Sequence, residues 1–235
     1  MTVSFSDRWQ TVQGSVARAC KRAGRNPAEV QIVAVSKTVP ADGIAEAYRA
    51  GVRIFGESYV QEALPKIDAL ASEGECSGTE WHFVGALQSN KARQAVTRFA
   101  LIHSLDRWSL AKELDKEAKK ASRTVRCLIE INVAGEATKS GVSPNELRAF
   151  AERISGETGL IVEGVMSFPP LAEDPELTRP YFRKTRECTS ELERWGLPRV
   201  TGKTLSMGVT SDFEVAIEEG ATLVRIGTAL FGSRS

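Results

Sequence analysis

The sequence predicts a single parallel (β/α)8 barrel of the TIM type, preceded by one extra helix. Three observations carry this expectation. An apolar strand pattern followed by a helical pattern recurs about eight times, and eight parallel strands close into a barrel. The 235 residues match what one such barrel needs and can bury roughly three-quarters of the extended-chain surface. No linker, charge block or low-complexity run divides the chain, so residues 1–235 read as one domain. A doubly wound open sheet is the alternative. No GxGxxG follows the first strand, which weakens the dinucleotide-binding form of that fold.

Taken in order, the extra helix comes first. Phe5, Trp9, Val12, Val16 and Ala19 recur at helical spacing, and Ser4 with Asp7 has the spacing of a capping box. Strand patterns follow at residues 30–36, 52–55, 81–85, 101–105, 125–133, 160–168, 204–207 and 222–226. Between the first two, a helix opens at Pro40 and is stopped by Gly51. Residues 57–73 read as helical through Val60, Leu64, Ile67 and Ala71, with Glu57 opening the helix and Pro65 kinking or dividing it. Asn90 and Lys91 begin another helix, although Lys91 could instead touch an anionic ligand. Ser143, Pro144 and Glu146 supply a cap, a first-turn proline and a reciprocal acid ahead of Leu147, Phe150, Ala151 and Ile154. Ser211, Asp212 and Glu214 repeat that cap, with Gly220 as terminator. The proline-rich stretch from Pro169 to Pro180 reads as a stiff βα loop.

Composition excludes several classes of function. A formal net charge of +1 gives no long-range field for nucleic acid, and no apolar run reaches the length of a membrane span. Cys20, Cys76, Cys127 and Cys188 form no CxxC pair, and with only His82 and His103 beside them a zinc site is not expected. Asp7, Arg8, Arg18, Lys21 and Arg22 interrupt any secretory segment, so the expectation is a reduced, cytoplasmic protein.

In a barrel, chemistry gathers at the C-terminal ends of the strands. Lys37 follows the first apolar strand. It is either a strand-end lysine whose stem packs, or an amine made nucleophilic by desolvation and able to attack an aldehyde. Ser206-Met207-Gly208 closes strand seven and Gly227-Thr228 follows strand eight, where such barrels place a phosphate site; the plain alternative is two turn glycines. Arg225, penultimate in a buried strand, needs either a salt-bridge partner or a ligand such as a ring nitrogen. His82 faces a site or is a hydrogen-bonded core histidine. Ser167, after Met166, ends strand six at the mouth, and His103 and Asp106 read as structural.

Five ordered stretches resemble the signatures of the pyridoxal phosphate homeostasis protein family. They are residues 33–38 (VAVSKT), 55–62 (FGESYVQE), 81–91 (WHFVGALQSNK), 205–208 (LSMG) with Asp212, and 224–232 (VRIGTALFG). The resemblance spans nearly the whole chain. It implies a barrel similar to the cofactor domain of alanine racemase, with pyridoxal 5′-phosphate held as an imine on Lys37. It also implies that Arg225 faces the pyridine nitrogen and that Gly227 and Thr228 hold the phosphate. The implied role is to keep the free cofactor low while supplying dependent enzymes. The candidate cofactor-binding set is Lys37, Ser58, His82, Ser167, Ser206, Met207, Gly208, Arg225, Gly227 and Thr228, with no catalytic residue and no metal ligand assigned. Two positions depart from the family pattern: Ser58 stands where asparagine is usual, and Val209-Thr210 where Met-Ser is common.

Two rival functions remain. One is a small pyridoxal-phosphate enzyme such as an amino-acid racemase. The other is an imine-forming lyase that carries no cofactor, against which the five signatures count. Alanine racemase draws a second acid/base tyrosine from a further domain, whereas this chain ends at Ser235, so a carrier without strong turnover is the expectation.

Overall fold

The computed structural model describes residues 3–72, 74, 76–136 and 139–232. Eight parallel strands close into a barrel in sequence order: β1 (Gln31–Val35), β2 (Ile54–Glu57), β3 (Glu80–Phe83), β4 (Leu101–Leu105), β5 (Val125–Ile131), β6 (Leu160–Ser167), β7 (Val200–Ser206) and β8 (Leu223–Ile226). The seam pairs β1 with β8, setting Gln31 beside Leu223 and Val33 beside Arg225.

The connecting helices are α2 (Ala41–Arg49), α3 (Val60–Ser72), α4 (Ala92–Arg98), α5 (Trp108–Lys120), α6 (Leu147–Ser155), α7 (Arg179–Trp195) and α8 (Phe213–Glu218). They cover the outer face of the strands over an apolar layer that includes Ile44, Phe55, Leu70, Phe83, Leu110, Leu114 and Phe182, all fully buried. Truncating a ring such as Phe182 to alanine removes about 3–5 kcal/mol from a layer of this kind. Alternate strand residues point inward, and Val33, Val84, Leu101, Leu128, Met166 and Leu223 form a second apolar cluster inside the barrel.

The extra helix is α1 (Phe5–Arg22). Its capping box is complete: Asp7 N donates to Ser4 Oγ at 3.1 Å, and Ser4 N donates to the Asp7 carboxylate at 3.2 Å. Its apolar stripe is buried against the barrel. Arg22 bridges to Glu214 and Glu218 of α8 at 2.7 and 2.6 Å, and Arg8 donates to the carbonyl of Leu230 in α9 (Thr228–Phe231). The helix therefore straps the first and last units of the barrel together.

Several local expectations change. Glu57 closes β2 instead of opening a helix, because Ile54 to Glu57 pairs with β3 along its whole length. Pro65 lies inside one continuous α3, and Glu73, the expected end of that helix, falls outside the described residues. α6 starts at Leu147, since the Ser143 carbonyl accepts from Glu146 N in a turn ahead of the helix. Asp212 takes the N-cap position of α8, but its carboxylate turns back to accept from Val209 N at 2.7 Å. Pro180 sits in the first turn of α7, where its missing N–H leaves nothing unpaired, and not in the preceding loop.

Candidate functional site

The period of two that buries Val33 and packs Val35 against the same inner cluster carries on to Lys37, just past the end of β1. The same parity on β8 runs from Leu223 through Arg225 to Gly227, and on β5 from Leu128 to Glu130. Val35, Lys37, Glu130, Arg225 and Gly227, with Ser58, Tyr59, Val84, Phe168, Thr210, Ser211 and Thr228, border one cavity of about 620 Å³ at the barrel mouth. That volume suits a small organic ligand. A second cavity of about 520 Å³ adjoins it and shares Glu130, Phe168, Val209 and Arg225.

The backbone that presents Lys37 is held from behind. Ser36 N donates to the Gly56 carbonyl at 2.9 Å, and Ser36 Oγ donates to Glu57 Oε1 at 2.7 Å. Lys66 Nζ donates to the Ser36 carbonyl, Glu57 and Glu62 at 3.0, 2.8 and 2.7 Å. Thr38 has φ +68°, a left-handed conformation that a β-branched residue rarely adopts, and its N–H is taken by Glu62. Glu57 is fully buried, and burial raises its carboxyl pKa against the opposing pull of Lys66 and Ser36.

Arg225 is 2% exposed. Its Nη1 donates to Ser206 Oγ at 2.6 Å and its Nη2 to the Ser167 carbonyl at 2.8 Å, while Nε has no hydrogen-bond partner. The Phe168 ring lies 4.2 Å from the guanidinium carbon. Burial draws the arginine pKa down to about 10, opposed by Asp212 and Glu130, so it remains charged near neutrality. Glu130 faces the same cavity, and burial together with Asp106 pushes it up to about 7 against the pull of Arg225.

Two glycines differ in what they require. A Cβ on Gly208 would fall 2.5 Å from Ala216 Cβ, and φ there is +88°, so the turn and the packing of α8 both demand glycine. A Cβ on Gly227 would meet nothing closer than the Val35 carbonyl at 3.6 Å. The chain's own packing does not need a glycine at 227; its bare backbone keeps that cavity wall low.

Of the residues singled out in the sequence, Lys37, Ser58, Arg225, Gly227 and Thr228 border the first cavity and Gly208 the second. Ser167 and Ser206 hold Arg225 from below. His82 lies deeper, bonded through Nδ1 to His103 Nε2 at 3.0 Å. Met207 is buried among the outer apolar layer and borders neither cavity, and Lys91 lies in the turn before α4 and borders neither. Sequence reasoning did not place Glu130, Tyr59, Phe168, Thr210 or Ser211 at the site. Glu130 carried a usable signal: it interrupts the run Leu128-Ile129-Glu130-Ile131 just as Arg225 interrupts its own strand. Among the described residues, no group of three or more His, Cys, Asp or Glu side chains is placed to hold a metal ion.

Residues 13–235 match the family model described as alanine racemase, N-terminal domain. A pyridoxal phosphate homeostasis protein of Aquifex aeolicus is 46% identical over 231 residues, covering 97% of each chain. Among solved structures, a protein from Bifidobacterium adolescentis, described as unknown, superposes with a TM-score of 0.90 at 33% identity, covering 97% of this chain and 94% of its own. PipY of Synechococcus elongatus, solved with pyridoxal phosphate bound, superposes with a TM-score of 0.79 at 38% identity, covering 93% of this chain and all of its own.

Proposed function

Because the chain belongs to the alanine racemase N-terminal domain family, and within it to the pyridoxal phosphate homeostasis proteins, we propose that it binds pyridoxal 5′-phosphate covalently through Lys37 and serves in homeostasis of that cofactor. The observation that carries the reading is the meeting of Lys37 and Arg225 in one cavity, the arginine having a buried Nε donor to spare. The residues fit the group. Arg225 offers a donor to a ring nitrogen, and Lys37 an amine to an aldehyde. Thr210, Ser211 and Thr228 offer hydroxyls, and the bare backbone at Gly227 leaves room for a phosphate.

When bound, the cofactor supplies an aldehyde for capture by amines and a ring that draws electrons. Arg225 is an obligate donor, so it favours an unprotonated ring nitrogen and thereby a weaker electron sink, as suits storage over turnover. Glu62 and Lys66 fix the backbone on either side of Lys37. We read residues 1–235 as one cofactor-binding barrel that acts in the cytoplasm and hands the cofactor to dependent enzymes. The buried thiols of Cys20, Cys127 and Cys188 are consistent with a reducing compartment. A second reading, a small racemase-type enzyme, is favoured by one observation: Glu130, close to neutral pKa, gives the cavity a group that can exchange protons.

Borohydride reduction of protein loaded with the cofactor, followed by peptide mass mapping, tests the main reading. The pyridoxyl label is expected on Lys37, and a label on any other lysine would overturn the assignment. Exchange of amino-acid α-protons with deuterated water by the same preparation, abolished in Glu130→Gln, would favour the enzyme.

A further inference from the structure

A polar column crosses the apolar interior of the barrel. From Arg225, the contacts run to Ser206 Oγ at 2.6 Å, from Ser206 Oγ to His103 Nδ1 at 3.0 Å, from His103 Nε2 to His82 Nδ1 at 3.0 Å, and from His82 Nε2 to Glu80 Oε2 at 3.4 Å. Every member except Glu80 is buried, and Val33, Val84, Leu101, Leu128, Met166 and Leu223 make up the surrounding apolar interior. Reading strand-end residues alone leaves this column invisible.

The two ends of the column set its direction. A guanidinium only donates, so Ser206 Oγ accepts from Arg225, and its own single hydrogen is available to His103 Nδ1. A carboxylate only accepts, so His82 presents an N–H at Nε2 to Glu80. Neutral imidazole has one donor and one acceptor. Both ends then require the same assignment: each histidine carries its hydrogen on Nε2 and accepts at Nδ1. The reverse assignment would make Ser206 Oγ accept twice, leave its hydrogen with no acceptor in the column, and turn a lone pair of His82 toward Glu80. Burial favours the neutral rings, holding His82 down to about 4 and His103 well below its ordinary value.

We propose that His103, backed by His82, is a positioning residue for Arg225: it takes the Ser206 hydrogen, commits the Ser206 oxygen to Nη1, and so fixes the guanidinium, whose Nε has no partner, in the cavity wall. The inference rests on the reading that this cavity takes a ring-nitrogen acceptor. The Ser167 carbonyl accepts from Nη2, so the guanidinium is held at two points while its buried Nε has no partner. No other donor or acceptor on either histidine is left over for a different task.

The chain has only two histidines, which makes the test clean. Long-range 1H–15N correlation spectra of histidine-labelled, tag-free protein without ligand should show both rings neutral and hydrogenated at Nε2 between about pH 6 and pH 8. A hydrogen on Nδ1 of either ring, or a charged ring at pH 7, would overturn the inference. Titration with pyridoxal phosphate adds a second arm. Asn places an acceptor where Nδ1 stands and Leu does not, so His103→Asn should bind within about twofold of the unaltered chain. His103→Leu should bind roughly three- to tenfold more weakly and shift the visible band. Equal affinities and bands in the two variants would overturn the role of His103. No binding by the unaltered chain would defeat the cofactor reading instead, and the ligand-free spectra would still decide the column.

Discussion

Replacing Lys66 with methionine should strand Glu57. The lysine stem is matched closely in length by methionine, so packing is kept while the ammonium is lost. Glu57 is fully buried, its Oε1 is served by Ser36 and Lys66, and its Oε2 has no partner at all. Removing one partner from a buried ion pair leaves an uncompensated charge and costs about 3–5 kcal/mol. That is a large part of the roughly 5–15 kcal/mol that holds a domain folded. The loss has a pH signature. Burial already raises the Glu57 pKa in the folded chain, Lys66 opposes that rise, and the unfolded value is near the ordinary 4.5. A raised folded pKa means the stability is intact at low pH and lost as the pH climbs through the folded value. In Lys66→Met the folded value rises further, so the deficit against the unaltered chain should shrink by about 1.4 kcal/mol for each pH unit lowered between the two folded values. Urea unfolding at pH 8, 7 and 6 measures it, and Glu57→Gln added to Lys66→Met should abolish the pH dependence. A deficit below about 1 kcal/mol, or one that is the same at every pH, would refute the reasoning, since it would place Glu57 in contact with water or another cation.

Two further outcomes concern the cavity. Gly227→Leu should fold, because the nearest atoms to a new Cβ are at ordinary contact distance, yet it should weaken pyridoxal phosphate by about tenfold or more and unphosphorylated pyridoxal far less; paired titrations of the two ligands check it. Ser58→Asn restores an amide donor to the cavity wall and should tighten pyridoxal phosphate by roughly two- to tenfold, as one net hydrogen bond would; an unchanged dissociation constant would mean that residue 58 faces something other than the ligand.

The barrel was legible because its signals are local and repeated. Apolar runs at β1, β4 and β5, helix stops such as Gly220, and the Ser4–Asp7 capping pair each declare one element without help from the rest of the chain. Boundaries blurred where a side chain had two uses. Glu57 looked like a helix-opening acid, yet its carboxylate serves Ser36 and Lys66 from a strand end. Asp212 looked like a cap and turns back to Val209. Lys37 and Arg225 stood out because each is a charge at the end of an apolar run. Glu130 obeys the same rule, and its acidity beside Arg225 became meaningful only when the barrel brought β5 and β8 to one cavity. The column through His103 is invisible to any local pattern, since Ser206 and His82 come from strands far apart in sequence.

The strap formed by α1 bears on the order in which the molecule assembles. Lys37 and Gly227 stand on opposite sides of the β1–β8 seam, so one wall of the cavity comes from the first strand and the other from the last. A growing chain cannot offer this cavity until β8 has been made and has paired with β1, a closure between distant parts of the sequence that ranks among the slower folding events. A ligand held on both sides then works as a fastener: at a hundredfold excess over its dissociation constant it adds about 2.7 kcal/mol against opening. Unfolding that begins by parting β1 from β8 must shed the ligand first. How long the loaded protein survives a protease would then be set by how slowly that one seam opens, with the Arg22 and Arg8 contacts of α1 acting as its second lock.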